Sequence, residues 1–483
     1  MRPGSHVWAV LGLTALGAAL RFPTLDRQSY WLDELVTVSL LRRDLGDMLG
    51  QIPETEATPY LYYVLAWLWA SAFGLGEVGL RSFSALAGTA TVPVAYGAGA
   101  ALVSRRAGVV AAALVAVSPF LVWYSQEARS YALLVLLGAG SLLAFAKALE
   151  RERLALVTWA LVSALAVATH YFAVFLVSAE AAWLVYRLGP RRLVLVASLV
   201  PTATFVAHVP LVLEQRGNAE AVTESSLAVR AGAIPKHLAV GYSFPAEVAG
   251  SVVAAGLLLA GLVLLLRTAA SIRRRAFLAG VIASASVVVP TGLALVGSDF
   301  LVSRNLAVAV VPAAVCLGAG YAASRLGLGV ASSLCLLLAA ISLAPALDTR
   351  YGRTDWRGVA ERLGSPPGAR AIVVTPFMSR SLWSPYLPGL REPDAEGERV
   401  REVAVVALAT EGGYSAGPVE PPRGEPAAAP EAFALVSVER EPSFTLVRYR
   451  AERPRVVSNA SLERLALADT QPGLLVQDQR GPG

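Results

Sequence analysis

Charge is scarce in this chain: 16% of its 483 residues are Asp, Glu, Lys or Arg, against about 25% in soluble globular proteins. Apolar residues fill the gap at 55%, and the mean hydropathy is +0.56. Too little polar surface is left to cover a water-facing exterior, so the excess must face lipid. A wholly cytosolic enzyme is excluded, and the lipid bilayer is the first partner implied. Cysteine is nearly absent. Cys316 and Cys335 both lie inside apolar runs, which excludes a disulfide scaffold and leaves no compartment signal. Lysine is confined to Lys147 and Lys236, so the formal charge of +6 rests on arginine. In a membrane protein that balance reports topology first, and no nucleic-acid partner is expected. No internal repeat of solenoid length is visible.

What is abundant is apolar length. A helix needs about 20 mostly apolar residues to cross about 30 Å of hydrocarbon. Candidate spans are Val7 to Leu20, Leu80 to Val103, Ala107 to Val122, Tyr131 to Leu149, Leu154 to Thr169 and Tyr171 to Tyr186. They continue with Leu193 to Leu213, His237 to Leu266, Phe277 to Val296, Asn305 to Ala323 and Leu326 to Leu343, eleven in all. The first could be a cleavable signal peptide, but no A-x-A site follows it, and it reads as a span. The pair flanking His170 could be one long tilted helix, and charge decides against that. With eleven spans and a cytoplasmic N-terminus, Arg105-Arg106, Arg151, Arg153, Arg187, Arg191-Arg192, Arg267, Arg273 to Arg275 and Arg325 all fall on the cytoplasmic side. Merging the pair would put about half of these clusters outside. The stretch Pro59 to Phe73 starts at proline and holds five Tyr or Trp residues. It suits an interfacial helix along the outer leaflet rather than a crossing.

After Leu343 the pattern becomes that of a small soluble domain. Asp355 to Leu363 reads as an amphipathic helix, and Ala371 to Thr375 and Val403 to Leu408 as strands. Phe433 to Val438 and Phe444 to Tyr449 alternate as a hairpin would. Gly417 to Pro430, rich in Pro, Ala and Glu, is expected as a mobile loop. The expected organisation is a membrane domain over 1–347, with a first outer loop at 22–79, and an extracytoplasmic α/β domain over 348–483. The fold class is an α-helical polytopic membrane protein of about 11 transmembrane helices plus outer interfacial helices.

Unusual polar residues gather in the outward loops. The first loop carries Asp33-Glu34 within YWLDELVT, and ends with Glu54 and Glu56 before the aromatic stretch. Neighbouring carboxylates at a membrane surface repel each other and lose hydration, which raises at least one pKa. An acid so tuned can take a proton from a hydroxyl, although a lone Asp-Glu dipeptide is common. The second loop is the compact string WYSQEARSY, with Gln126, Glu127, Arg129 and Tyr131. Ionised groups at a span boundary are costly unless paired or used. Either Glu127 and Arg129 close a turn, or Arg129 holds a lipid phosphate with its planar fork. Later loops contribute His170-Tyr171 and SDFLVSRN, where Arg304 stands outside against the positive-inside trend with Asp299 as an available partner. Four histidines so dispersed do not suggest a His-built metal site. An oxygen-ligand site including Glu56 stays open.

The order of YWLDE, TPYLYY, SPFLVWYSQEARSYAL and THYF resembles the GT-C membrane glycosyltransferases. Among them it is most similar to the bacterial branch of glycosyltransferase family 39, with its protein O-mannosyltransferases and lipid A aminoarabinose transferases. The likeness covers about Arg21 to Tyr171 well and is looser to Leu343, where SRNLAVAVVP resembles the family's late arginine-bearing span start. The resemblance implies inverting transfer of a sugar, mannose by family default, from a polyprenyl-phosphate donor to a hydroxyl on the outer side. It places the general base at Asp33 with Glu34 beside it, and acceptor or divalent-ion orientation at Glu56, with Glu127 as a second-loop acid. Donor-phosphate contacts fall on Arg129 and Arg304, with Gln126, Tyr131, His170 and Tyr171 in support. The acceptor is a protein, glycolipid or polysaccharide. A divalent cation is left open and no organic cofactor is expected. Many relatives carry His-Pro-Pro-Leu where this chain has Thr58-Pro59-Tyr60-Leu61, which removes any role borrowed from that histidine. The bacterial plasma membrane is the expected location. The competing reading is a lipid-linked substrate transporter or flippase, for which Glu180 in the sixth span is the residue to watch.

Overall fold

The computed structural model describes residues 4–218, 225–375, 383, 385–409, 420–422, 424–468 and 471–478. Contacts divide the chain into two units. One is Met1–Leu25 with Leu40–Leu343; the other is Asp26–Ser39 with Ala344–Gly483. The expected boundary at 347 kept the whole first loop with the membrane part, whereas residues 26–39 group with the C-terminal unit.

The helices in chain order are α1 Ser5–Ala19, α2 Leu32–Leu41, α3 Leu45–Thr55, α4 Leu61–Phe73, α5 Glu77–Leu102 and α6 Arg105–Val117. Then come α7 Pro119–Ser125, α8 Tyr131–Ala148, α9 Arg153–Thr169, α10 Ala173–Leu188, α11 Arg192–Glu214 and α12 Leu227–Val240. They end with α13 Glu247–Leu266, α14 Ala270–Leu295, a 3-10 turn Ser303–Ala309 leading into α15 Val310–Tyr321, α16 Arg325–Leu347 and α17 Trp356–Leu363.

Among the described residues, seven helical segments are long and apolar enough to cross a membrane, and α6 with α7 makes an eighth if this pair, bent by 58°, counts as one span. The bend has a local cause. Pro119 disfavours helical backbone at Ser118, and the Ser118 hydroxyl instead caps α7 by accepting from the Leu121 N–H at 3.3 Å. Three expected spans form α1, α9 and α10, of 15, 17 and 16 residues. At 1.5 Å per residue these reach about 22–26 Å, short of a full crossing. The chain does break at His170, whose extended backbone ends α9. The aromatic stretch forms α4, whose 13 residues reach about 20 Å.

One expected span is corrected. His237 to Leu266 is not continuous: α12 stops at Gly241, which takes φ +80°, and Pro245 cannot resume the helix at once. An ion pair between Lys236 and Glu247, 2.7 Å, braces the gap. Elsewhere glycine permits close helix packing. A Cβ on Gly99 would lie 2.8 Å from the Cα of Gly108, where α5 meets α6.

The second unit holds a six-stranded sheet in the order β2-β6-β1-β3-β5-β4. Its strands are β1 Arg370–Thr375, β2 Leu390–Arg391, β3 Glu398–Leu408, β4 Ala434–Arg440, β5 Phe444–Val457 and β6 Gly473–Gln477. β1 and β3 run parallel and the other pairings are antiparallel. Central strands are covered on both faces, which accounts for the unbroken apolar runs of β1 and β3. The expected helix and four strands appear as α17, β1, β3 and the β4–β5 hairpin. Residues 417–419 and 423 of the expected loop near 417–430 lie outside the described residues. Within its described part, the Ala427 carbonyl accepts from the Tyr449 hydroxyl at 2.7 Å.

Candidate active site

The helical unit contains a cavity of about 200 Å³ whose lining includes Arg129 and Arg304. Arg129 stands just before α8, and Arg304 in the 3-10 turn that opens α15. Tyr131, His170 and Tyr171 also line it, and Phe172, Phe175, Phe205 and Phe300 supply aromatic wall. Five of the residues singled out in the sequence therefore share one cavity.

Glu56 meets this group through Arg129. Its Oε1 accepts from the Arg129 Nη1 at 2.8 Å, and both side chains are buried. Glu56 ends α3, and its backbone is held from the far end of α11. The Asn218 amide donates to the Glu56 carbonyl at 2.8 Å and to the Pro53 carbonyl at 3.0 Å. The Gln215 amide donates to the carbonyls of Ile52 and Thr58 at 3.3 and 3.2 Å, and its oxygen accepts from the Tyr171 hydroxyl at 2.8 Å. Two side-chain amides thus stitch the segment 52–58 to the cavity wall. Neither was singled out in the sequence. The signal available was a pair of amides, Gln215 and Asn218, just past the end of a long apolar run.

The chain that leads to Arg304 is held by a second set of contacts. The expectation that Asp299 would partner it is corrected: Asp299 takes two hydrogen bonds from Arg230, one at 2.9 Å. Those bonds hold the Asp299 carboxyl below its ordinary pKa. Arg230 also donates to the Leu301 carbonyl at 2.8 Å, so it clamps the strand of chain leading into the 3-10 turn. At the neighbouring position the Ser303 hydroxyl lies 2.8 Å from the His237 Nδ1.

His170 sits between the arginines electrostatically. Burial lowers its pKa, the charge of Arg129 and then of Arg304 adds to this, and a hydrogen bond with Asn305 opposes it; the result is about 3. The imidazole is neutral at physiological pH, with Nδ1 accepting from the Phe172 N–H at 3.2 Å and Nε2 carrying the proton. Its ring lies 5.8 Å from that of Tyr131.

Glu127 is buried, and both its charge and that of Arg304 act on the Tyr124 hydroxyl. Gln126 points elsewhere. Its amide donates to the Leu20 and Arg21 carbonyls at 3.3 and 3.1 Å and to the Thr24 hydroxyl at 2.6 Å, closing the end of α1. Glu180 is buried within α10, accepting from the Trp159 indole at 2.8 Å and from the Ser141 hydroxyl. Asp33 and Glu34 belong to the other unit, in the first turn of α2. Asp33 is half-buried. Glu34 is buried, and its carboxylate turns back to accept from the Trp31 N–H at 3.3 Å, as the third residue of a helix does in a capping box.

Among the described residues, no group of three or more His, Cys, Asp or Glu side chains is placed to hold a metal ion. Glu56 itself is engaged in the ion pair with Arg129. The cavity brings two arginines, Arg129 and Arg304, to one aromatic and aliphatic wall, where a low dielectric strengthens the electrostatic interactions of charged groups.

Residues 57–213 match the family model described as Dolichyl-phosphate-mannose-protein mannosyltransferase. ArnT from Cupriavidus metallidurans, solved both in the apo state and bound to undecaprenyl phosphate, superposes over 92% of this chain and 98% of its own. The TM-score is 0.53 at 14% identity. The chain has the GT-C fold. The resemblance read from the sequence is borne out at the level of the fold, and the apolar helices are those of a multi-pass membrane protein. The Archaeoglobus fulgidus oligosaccharyltransferase tethered to an acceptor peptide aligns over 75% of this GT-C chain and 57% of its own, at TM-score 0.45 and 12% identity. The S. cerevisiae protein O-mannosyltransferase Pmt1-Pmt2 complex, bound to the sugar donor, aligns over 44% and 35%, at TM-score 0.35 and 19% identity. No curated protein matches in sequence.

Proposed function

We propose that the protein is an inverting glycosyltransferase that moves a sugar from a polyprenyl-phosphate donor to an acceptor hydroxyl on the extracytoplasmic side of a bacterial plasma membrane. The observation that supports this most is the convergence of Arg129 and Arg304 on one aromatic-walled cavity. Planar guanidinium forks suit phosphate oxygens, and aromatic and aliphatic walls suit an isoprenoid carrier. The undecaprenyl phosphate bound to ArnT is a ligand of this chemistry.

In the proposed reaction Asp33 takes the proton of the acceptor hydroxyl as its oxygen attacks the anomeric carbon. The bond from that carbon to the phosphate oxygen breaks, and the lipid phosphate leaves with its growing charge neutralised by Arg129 and Arg304. Attack opposite the leaving phosphate inverts the anomeric centre. Glu56 orients Arg129, and Glu127 supports the same turn. Glu34 supports Asp33 by closing the first turn of α2. Mannose is the sugar proposed from the description of the matching family, and the acceptor is a protein, glycolipid or polysaccharide hydroxyl. The proposed topology has a cytoplasmic N-terminus and an extracytoplasmic C-terminal domain.

The test is incubation of the purified full-length protein with a panel of radiolabelled polyprenyl-phosphate sugars, with and without chelator. Label should move to an acceptor fraction while free polyprenyl phosphate accumulates, and Arg129→Ala should abolish both. Label that crosses a vesicle membrane without any bond to the sugar breaking would overturn the proposal in favour of transport.

A further inference from the structure

Residues 26–31 carry no regular secondary structure, so their backbone groups need partners from elsewhere. Within their own unit they find them on the segment around α17. The Ser29 hydroxyl donates to the Thr354 carbonyl at 3.0 Å and accepts from the Trp356 N–H at 2.9 Å. That N–H is one of the first amides of α17, which the helix itself cannot satisfy. Asp355 caps the next available one, accepting from the Gly358 N–H at 2.9 Å. Beside it the Gln28 oxygen accepts from the Arg353 N–H at 3.0 Å. On the other flank the Tyr386 hydroxyl accepts from the Tyr30 N–H at 2.6 Å, and Arg357 donates to the Asp26 carbonyl at 2.7 Å. Three positions beyond Tyr30, within the turn closed by Glu34, stands Asp33.

We propose that the C-terminal unit is a positioning device for Asp33: Trp356, Arg353 and Tyr386 pin Ser29, Gln28 and Tyr30, and so fix the start of α2. This rests on the reading of Asp33 as the base. Ser29 is the centre of the device because its one hydroxyl is used twice, as donor to the chain before α17 and as acceptor from the helix itself. Ser29, Gln28 and Tyr386 are positioning residues that act through the backbone before α2. A base in a helix turn whose preceding segment lacked such pins would sample many orientations, and small misplacements of a catalytic group cost large factors in rate.

The test uses the full-length protein in nanodiscs and two readouts, amide hydrogen exchange over residues 30–35 and steady-state transfer. In Ser29→Ala those amides should exchange at least about tenfold faster, with kcat down about tenfold and donor KM within about twofold. Ser29→Thr keeps the hydroxyl and should recover both. Tyr386→Phe removes the hydroxyl that accepts from the Tyr30 N–H with almost no change of volume, and should show the same loss in smaller measure. Unchanged exchange in both Ser29→Ala and Tyr386→Phe would overturn the device whatever their activity, as would failure of Ser29→Thr to recover. Asp33→Asn separates the two ideas. Full transfer in that variant would defeat the base, while the exchange data would still report whether the segment is pinned.

Discussion

Glu56 and Arg129 stand 73 positions apart in the chain and close an ion pair of 2.8 Å with both side chains buried. Removing either partner takes a counter-ion from the other in a dry place, so Glu56→Ala and Arg129→Ala should each lower stability, by up to about 3–5 kcal/mol. Replacing both, as Glu56→Leu with Arg129→Met, should restore most of that stability while transfer stays lost. Thermal unfolding and transfer assays on the three variants separate the two roles. A double variant that regained transfer would remove Arg129 from the donor site.

Asp33 and Glu34 are neighbours with different work. Asp33→Asn should lower kcat by about 10²–10⁴, the usual span of a general base, with the melting temperature unchanged. Glu34→Gln keeps an oxygen that can accept from the Trp31 N–H, and should hold transfer within about tenfold of the parent. Equal losses in the two variants, measured under saturating donor, would contradict the division of roles.

Arg304 is proposed to contact donor phosphate with a charge-assisted hydrogen bond. Losing such a bond costs about 1.5–3 kcal/mol, so Arg304→Ala should reduce kcat/KM for the donor by roughly tenfold to 150-fold. Arg304→Lys keeps the charge and loses the fork, and should fall between. The check is kcat/KM for both variants at one fixed ionic strength. Parent-like values in both would exclude Arg304 from the donor contact.

His170 gives a pH signature. Its folded pKa is about 3, below the value of about 6.5 expected for an unfolded histidine. Between those values the unfolded chain binds more protons, so stability rises with pH across the window and the contribution is complete above pH 6.5. As pH falls from about 6.5 toward 3 it is lost. In His170→Gln this part of the dependence should vanish, leaving a flatter melting-temperature profile than the parent. Parallel profiles for the two proteins over that range would show that His170 titrates normally.

Much of the helical architecture was legible because crossing a bilayer is a property of a segment. Apolar length, a proline at Pro119 and the absence of charge from Tyr131 to Ala146 can be read without knowing any neighbour. The break at His170 was legible from the arginine clusters on either side. The break at Gly241 was not weighed, although a glycine followed by Pro245 carried it. The strands β1, β3, β4 and β5 announced themselves as apolar or alternating runs, while β2, two residues long, and β6, five residues long, did not.

The sequence by itself determined that the chain lives in a membrane, and that its few charges gather in the loops between spans. Only the tertiary structure decided which charge meets which. Asp299 lies five positions from Arg304 and pairs with Arg230 instead. Gln215 and Asn218 hold the backbone around Glu56, 162 positions apart for Asn218. The acid pair joins the C-terminal unit. Burial of apolar length is a sum over local residues, whereas an ion pair or a hydrogen bond acts over about 3 Å. Its partner is chosen by how distant helices pack, which no local pattern encodes.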